Sequence, residues 1–328
     1  MRKLLTLFMA LLAITALWAH DFEVNGIYYN ILTDKTKEAE VTYCWGFNDY
    51  SGSVTIPETI TYDGTTYSVT SIGDSAFHYC TSLTSITIPN SVTTIGSSAF
   101  YYCSSLTKTN YTGDIEGWCG IKFGNSSSSN PISYSHNLYI NDQEVKALTI
   151  PNSVDSIYNY AFYNCSSLTS ITIPNSVKSV GKSAFYNCSG KLTKFVCYST
   201  VSELLNTFKL NENPSLNMVV APAEFFDIPE NKWASSPKNI KYVEVSNGKL
   251  TNNAFGFISQ CCKTLKTLNL KAATNTVIID EAFKGYYNLD SLYLPSRLEY
   301  IPYMAVADCK MLKSIAIPAT VEEIDHSA

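Results

Sequence analysis

The chain has 328 residues, with 23 lysines and arginines against 28 aspartates and glutamates, and only 16% of its residues are charged. That mild acidity excludes a nucleic-acid binder and a protein held to anionic membranes by charge, because both need clustered basic side chains. Ten cysteines and 23 tyrosines are the other compositional facts that need explaining.

Residues 1–19 read as a secretory signal peptide. Arg2 and Lys3 precede an uncharged apolar run from Leu4 to Trp18 that ends at the small residue Ala19. The run is short for a spanning helix, which needs about 20 apolar residues, and the polar pair His20-Asp21 follows at once. Cleavage there leaves 21 basic residues against 28 acidic ones, a net charge of −7. No later segment is apolar enough to span a bilayer as a helix. An exported product, secreted or at a bacterial cell surface, is the expectation.

Residues 20–70 are aromatic and lean towards strand. Thr59 to Tyr62 and Thr65 to Val69 flank Asp63-Gly64, a dipeptide suited to two-residue hairpin turns. This segment is expected to form a β cap over the open edge of whatever follows it.

From residue 71 a pattern of Ile-x-Ile-Pro-x-Ser-Val-x-x-Ile-Gly-x-x-Ala-Phe-x-x-Cys-x-x-Leu recurs with a 23-residue period. Phe77 and Phe100, Phe162 and Phe185, Pro151 and Pro174, and Pro295 and Pro318 all keep that spacing. A period of about 20 to 29 residues marks leucine-rich repeats, in which each coil gives one short strand to a continuous parallel sheet and neighbours bury its apolar face. The expected fold is therefore a leucine-rich-repeat solenoid over 71–328. It is β-rich, with a parallel sheet on one face, short helical or irregular turns on the other, and the N-terminal β cap.

Two stretches depart from the period. Leu106 to Val145 exceeds one period, and the insert at about 109–144 carries Trp118, Cys119, Phe123 and a hairpin signal at Asn141-Asp142. It is expected as an excursion on one face, where solenoids tolerate insertions. Variant coils at about 197–250 lose the Ala-Phe-x-x-Cys half but keep the strand half. Leu192, Leu216, Ile240, Leu265, Leu289 and Leu312 each begin the same Leu-x-x-Φ pattern at steps of 23 to 25 residues. One uninterrupted repeat array is the prediction. At the far end Ala305 recurs as Ala328, so the next repeat Phe would fall just past the last residue; the expectation is that the natural product continues or that something covers this end.

Six cysteines, Cys80, Cys103, Cys165, Cys188, Cys262 and Cys309, precede a repeat leucine by three or four residues, and Cys197 takes an apolar strand position. Buried thiols are the favoured reading, because free cysteine packs as a small hydrophobe. Ladder neighbours roughly 5 Å apart leave disulfides open on distance alone. Cys44, Cys119 and Cys261 lie off the ladder and find no partner from sequence.

The coils Ser71 to Cys103 and Leu148 to Cys188, with the segments Ser85 to Phe100 and Ser170 to Phe185, resemble the BspA-type bacterial surface leucine-rich repeats. Asp21 to Tyr29 resembles that family's opening. The resemblance implies an exported protein that binds other proteins, with no catalytic residues.

No sequence motif for catalysis, phosphate binding or metal binding appears, so no enzyme, cofactor or metal is expected. Outside the signal region His78, His136 and His326 are scattered, and Glu203, Glu224, Asp227 and Glu230 read as solvated turn residues rather than a hydrolytic carboxylate pair. Strand alternation turns the residues two and four after each first leucine away from the core. In the middle and later coils these include Met218, Val220, Tyr242, Glu244 and Tyr293, a candidate partner-binding patch, since aromatic and Met side chains favour recognition surfaces. The expected role is a non-catalytic adhesin or protein-interaction module with a protein partner, from host extracellular matrix or a bacterial surface. A structural spacer and a carbohydrate-binding module or glycan enzyme are the alternatives. Sequence does not fix the partner or the oligomeric state.

Overall fold

A computed structural model describes residues 20–33, 35–43, 50–188, 190–208, 215–229, 238–261 and 264–328. The expected signal peptide, Cys44, Cys262 and Glu230 lie outside them. The chain divides into two compact units, one running to Glu144 and including Tyr158–Asn164, the other comprising Val145–Ile157 and Cys165–Ala328. Both are strand-rich, with few and short helices.

The first unit begins with β1 (Phe22–Val24), β2 (Ile27–Thr33), β3 (Glu38–Thr42), β4 (Gly52–Thr55), β5 (Thr59–Tyr62) and β6 (Thr65–Ile72). It continues with β7 (Leu83–Ile88), β8 (Thr94–Ile95), β9 (Lys108–Tyr111), β10 (Lys122–Phe123), β11 (Tyr139–Ile140) and β12 (Gln143–Glu144). One sheet runs β1-β2-β3-β6-β8-β10 with β5 beside β6, and a second runs β12-β11-β9-β7-β4. Antiparallel pairing is confined to hairpins such as β1 with β2, β5 with β6 and β11 with β12. Each of these three turns on a two-residue loop in the left-handed region, Asn25-Gly26, Asp63-Gly64 and Asn141-Asp142, as short hairpins with right-handed strand twist require.

The repeat consensus explains the core of this unit. Leu83, Ile86 and Ile88 on β7 are buried, as are Phe77 and Phe100, whose rings stack at 5.0 Å between successive coils. The consensus glycine serves close approach rather than a turn. A Cβ on Gly96 would lie 2.4 Å from the backbone nitrogen of Asp74, and one on Gly124 would lie 2.5 Å from that of Ser97. Left-handed backbone occurs instead at residues with side chains, at the same two places in each coil: Ser75 and Tyr79 in one, Ser98 and Tyr102 in the next.

The insert is no surface excursion. Its strands β10 and β11 extend the two sheets in parallel, by pairing with β8 and β9. Trp118 and Cys119, on the short helix Ile115–Cys119, are buried together with Ile121, Ile132 and Leu138. Trp118 Nε1 donates to the carbonyl of Ala161 at 2.8 Å, and the Asn130 side chain donates to the carbonyls of Tyr160 and Ala161. The insert carries enough apolar residues to serve as an enlarged coil, so burial outweighs exposure on a face.

The second unit contains β13 (Ala147–Thr149), β14 (Ser156–Ile157), β15 (Ser170–Ile173), β16 (Ser179–Val180), β17 (Lys194–Cys197) and β18 (Met218–Ala221). It ends with β19 (Tyr242–Val245), β20 (Thr267–Asn269), β21 (Ser291–Tyr293), β22 (Tyr300–Ile301), β23 (Ile315–Ala316) and β24 (Glu323–Ile324). An eight-stranded sheet runs β13-β15-β17-β18-β19-β20-β21-β23, and β14-β16 and β22-β24 form two small sheets. The register through the variant coils is unbroken: Phe195, Val219, Val243, Leu268 and Leu292 oppose one another in series and are all buried. Three apolar positions per strand suffice to hold the ladder when the Ala-Phe half is lost, because each buried aliphatic side chain contributes about 1.5 to 3 kcal/mol.

Cys80, Cys103, Cys119, Cys165, Cys188, Cys197 and Cys309 carry thiols rather than disulfides, and all but Cys309 are buried. The Cys103 thiol donates to the carbonyl of Phe77 and that of Cys309 to the carbonyl of Phe283, each at 3.1 Å. Desolvation pushes the Cys119 and Cys197 thiols up to about 12, which suppresses the reactive thiolate.

Candidate functional site

In a parallel ladder of constant register, residues at equivalent positions form rows across the outward face of the sheet. One row of the second unit runs Met218, Tyr242, Thr267, Ser291, and the next runs Val220, Glu244, Asn269, Tyr293. The candidate residues read from sequence thus share one face and adjoin one another.

They are not equally available. Met218, Tyr242 and Glu244 are half-buried, and Tyr293 is 37% exposed. Val220 is only 2% exposed, so it is corrected from the patch; it faces outward by alternation but is covered, as Val196 beside it in the same row also is. Alternation fixes only the direction of a side chain. Whether it meets solvent depends on the bulk of its neighbours.

The Tyr242 hydroxyl donates to Glu244 Oε2. Burial first, then the hydrogen bond and the charge of Glu244, push the phenol up to about 12, while a hydrogen bond with Asn269 opposes them. Lys271 Nζ sits 4.7 Å from the centroid of the Tyr293 ring, a cation–π contact. Tyr198, 45% exposed, is near enough to Tyr242 to act on its ionisation. Asn269, Lys271 and Tyr198 therefore belong with the patch. Lys271 and Tyr198 continue the alternation of Thr267-Asn269 and Lys194-Val196 by one more step, which is the signal that would have found them.

The patch combines exposed aromatic rings, one carboxylate bridged to a phenol, and one lysine over a ring. Such a surface recognises by shape, hydrogen bonding and apolar contact. Elsewhere in the second unit, Asp227 accepts from the Thr251 hydroxyl and Glu203 from the Ser202 hydroxyl. Among the described residues no group of three or more His, Cys, Asp or Glu side chains is placed to hold a metal ion, and no helix is long and apolar enough to cross a membrane.

A second aromatic surface lies on the turns of the first unit. His78 stacks on Tyr101 at 5.2 Å and Tyr79 on Tyr102 at 4.8 Å, each pair joining equivalent places in successive coils. Tyr101 thus has a ring partner within its own unit.

A sequence profile described as BspA type Leucine rich repeat region (6 copies) matches residues 50–144, 133–260 and 215–328. Among solved structures, a leucine rich cell surface protein from Faecalibacterium prausnitzii is similar at 22% identity over 93% of this chain and 95% of its own, with a TM-score of 0.37. A leucine-rich repeat protein from Bacteroides ovatus is similar at 18% identity over 93% and 90%, with a TM-score of 0.36. One from Bacteroides capillosus is similar at 26% identity over 54% and 96%, with a TM-score of 0.29. No curated protein matches the chain.

Proposed function

The chain belongs to the BspA type leucine-rich repeat family, and from that premise we propose a non-catalytic interaction module, exported to the bacterial surface, that binds a protein partner through the outward face of β18 to β21. We read the parallel ladders as coils of a solenoid, with residues 20–70 as a β cap. Export rests on Arg2, Lys3 and the apolar run behind them.

The observation that carries this reading is the convergence of Met218, Tyr242, Glu244 and Tyr293 onto adjoining rows of one sheet face. Tyrosine supplies large contact area with little rotamer entropy to lose, which is why it concentrates in binding energy hot spots. Glu244 and Asn269 supply directional contacts between the rings.

The test is binding of the mature chain to immobilised host extracellular-matrix and bacterial surface proteins, beside a Tyr242→Ala, Tyr293→Ala double variant. Capture of a defined partner that the double variant loses, with its thermal midpoint unchanged, supports the reading. Equal capture by both moves the site off this face.

A further inference from the structure

The strand β4 ends the five-stranded sheet of the first unit and pairs only with β7 among the described residues. Within β4 and just after it, the amides of Gly52 and Ile56 donate to the carbonyls of Ser82 and Thr87, at 2.8 and 3.0 Å. Successive residues of a strand direct their main-chain groups to opposite sides. The amides and carbonyls of Ser53 and Thr55 therefore face the other way, where no strand among the described residues answers them. The antiparallel strands before β4 do not close this edge: β3 joins β6 instead, and so extends the other sheet.

Beside that edge lies a cleft of about 370 Å³, within the range of ligand sites. The β1–β2 turn at Asn25 and Gly26, the exposed residues Ser53 and Thr55, and the rings of Tyr29 and Tyr50 all line it. The two tyrosines differ. The Tyr50 hydroxyl donates to the Thr42 carbonyl at 2.8 Å and accepts from the Tyr28 amide at 3.0 Å. The Tyr29 hydroxyl is fully buried and has no hydrogen-bond partner. An unmade buried hydrogen bond and a row of unpaired main-chain groups thus border one cavity.

We propose that the free edge of β4 takes an extended peptide segment of a partner protein as an added strand, docked on the main-chain groups of Ser53 and Thr55. Strand addition is what such an edge does chemically, since main-chain hydrogen bonds supply affinity for any extended backbone and the neighbouring cleft selects its side chains. The exposed residues Ser53 and Thr55 carry small, uncharged side chains, and Pro57, next in the same phase and lining the cleft, marks where the edge ends. This surface is independent of the sheet face of the second unit, so either can fail alone.

The test uses the mature chain and a fluorescein-labelled peptide of alternating threonine and valine capped by lysines. Saturable polarisation change is expected, together with slowed hydrogen exchange at the Ser53 and Thr55 amides when the peptide is bound. Thr55→Pro removes an outward donor without touching a bond to β7 and suits an extended strand; it should weaken binding about tenfold, the equivalent of one main-chain hydrogen bond. N-methylation of alternate peptide residues should abolish binding in one phase and spare it in the other. The proposal is overturned if those two amides are already protected in the free chain, if no peptide binds, or if Thr55→Pro folds and binds undiminished. Self-association through this edge, dissociated by Thr55→Pro, would assign it to a second copy and overturn it equally. The exchange measurement needs only the wild-type chain, so a variant that fails to fold leaves the proposal decidable.

Discussion

Tyr242 and Glu244 lie two residues apart on one strand and one face, with the phenol donating to the carboxylate. Burial first, and then the carboxylate, hold the phenol in its neutral form, so ionisation moves from 10.0 to about 12. A phenol whose native pKa exceeds its unfolded value adds stability that is fully present below pH 10. That stability is lost as pH rises through 10 to 12, because the unfolded chain releases the proton first. Replacing Glu244 by Gln should bring one tyrosine back towards an ordinary titration, read as absorbance at 295 nm. An unchanged titration curve would mean that the pair does not persist in solution.

Gly96 is predicted to be irreplaceable by alanine. The added Cβ would meet the backbone of Asp74 at 2.4 Å, and backbone cannot swing aside as a flexible side chain can. A loss of about 1 to 3 kcal/mol is expected, measured as a shift in the denaturant midpoint at constant slope. Gly190, where an added Cβ meets nothing, is the control and should tolerate the same change with little effect.

Removing the Tyr29 hydroxyl should not destabilise the chain. A buried polar atom without a partner costs about 1 to 3 kcal/mol, and Tyr29→Phe removes it while keeping the packed ring. The thermal midpoint of the unliganded protein is expected to hold or rise. A clear fall would show that the hydroxyl is satisfied in solution.

Cys103, Cys119, Cys188 and Cys197 should resist alkylation in the native state and react on unfolding. Each thiol is buried, and burial raises its pKa above the ordinary value, so little thiolate forms at neutral pH. Mass mapping after brief iodoacetamide treatment checks this residue by residue. Rapid labelling of any of the four would contradict the packing described.

The strand ladder was legible from residues because its signal is local and repeated. Leu83, Ile86 and Ile88 show the burial rule once, and Phe195, Val219, Val243 and Leu268 show it again where the Ala-Phe-x-x-Cys half of the consensus is gone. Both hairpins at Asp63-Gly64 and Asn141-Asp142 were equally plain, since a two-residue turn limits the residues that fit it. The insert misled because an interrupted period looks like an exposed loop, while Trp118 and Asn130 are anchored by carbonyls of Tyr160 and Ala161 some 30 to 43 residues away. Val220 misled because the side of a sheet can be read from alternation, whereas accessibility cannot.

By itself, the sequence determined the repeat period, the register of apolar positions and the placement of Met218, Tyr242, Glu244 and Tyr293 on one side of a sheet, all of which follow from spacing along the chain. Only the tertiary structure decided that Val220 is covered, that the consensus glycine answers an approaching backbone, and that β3 extends the other sheet, so that β4 pairs with β7 alone among the described residues. Those outcomes depend on distances between segments remote in sequence, and no periodicity along a chain encodes them.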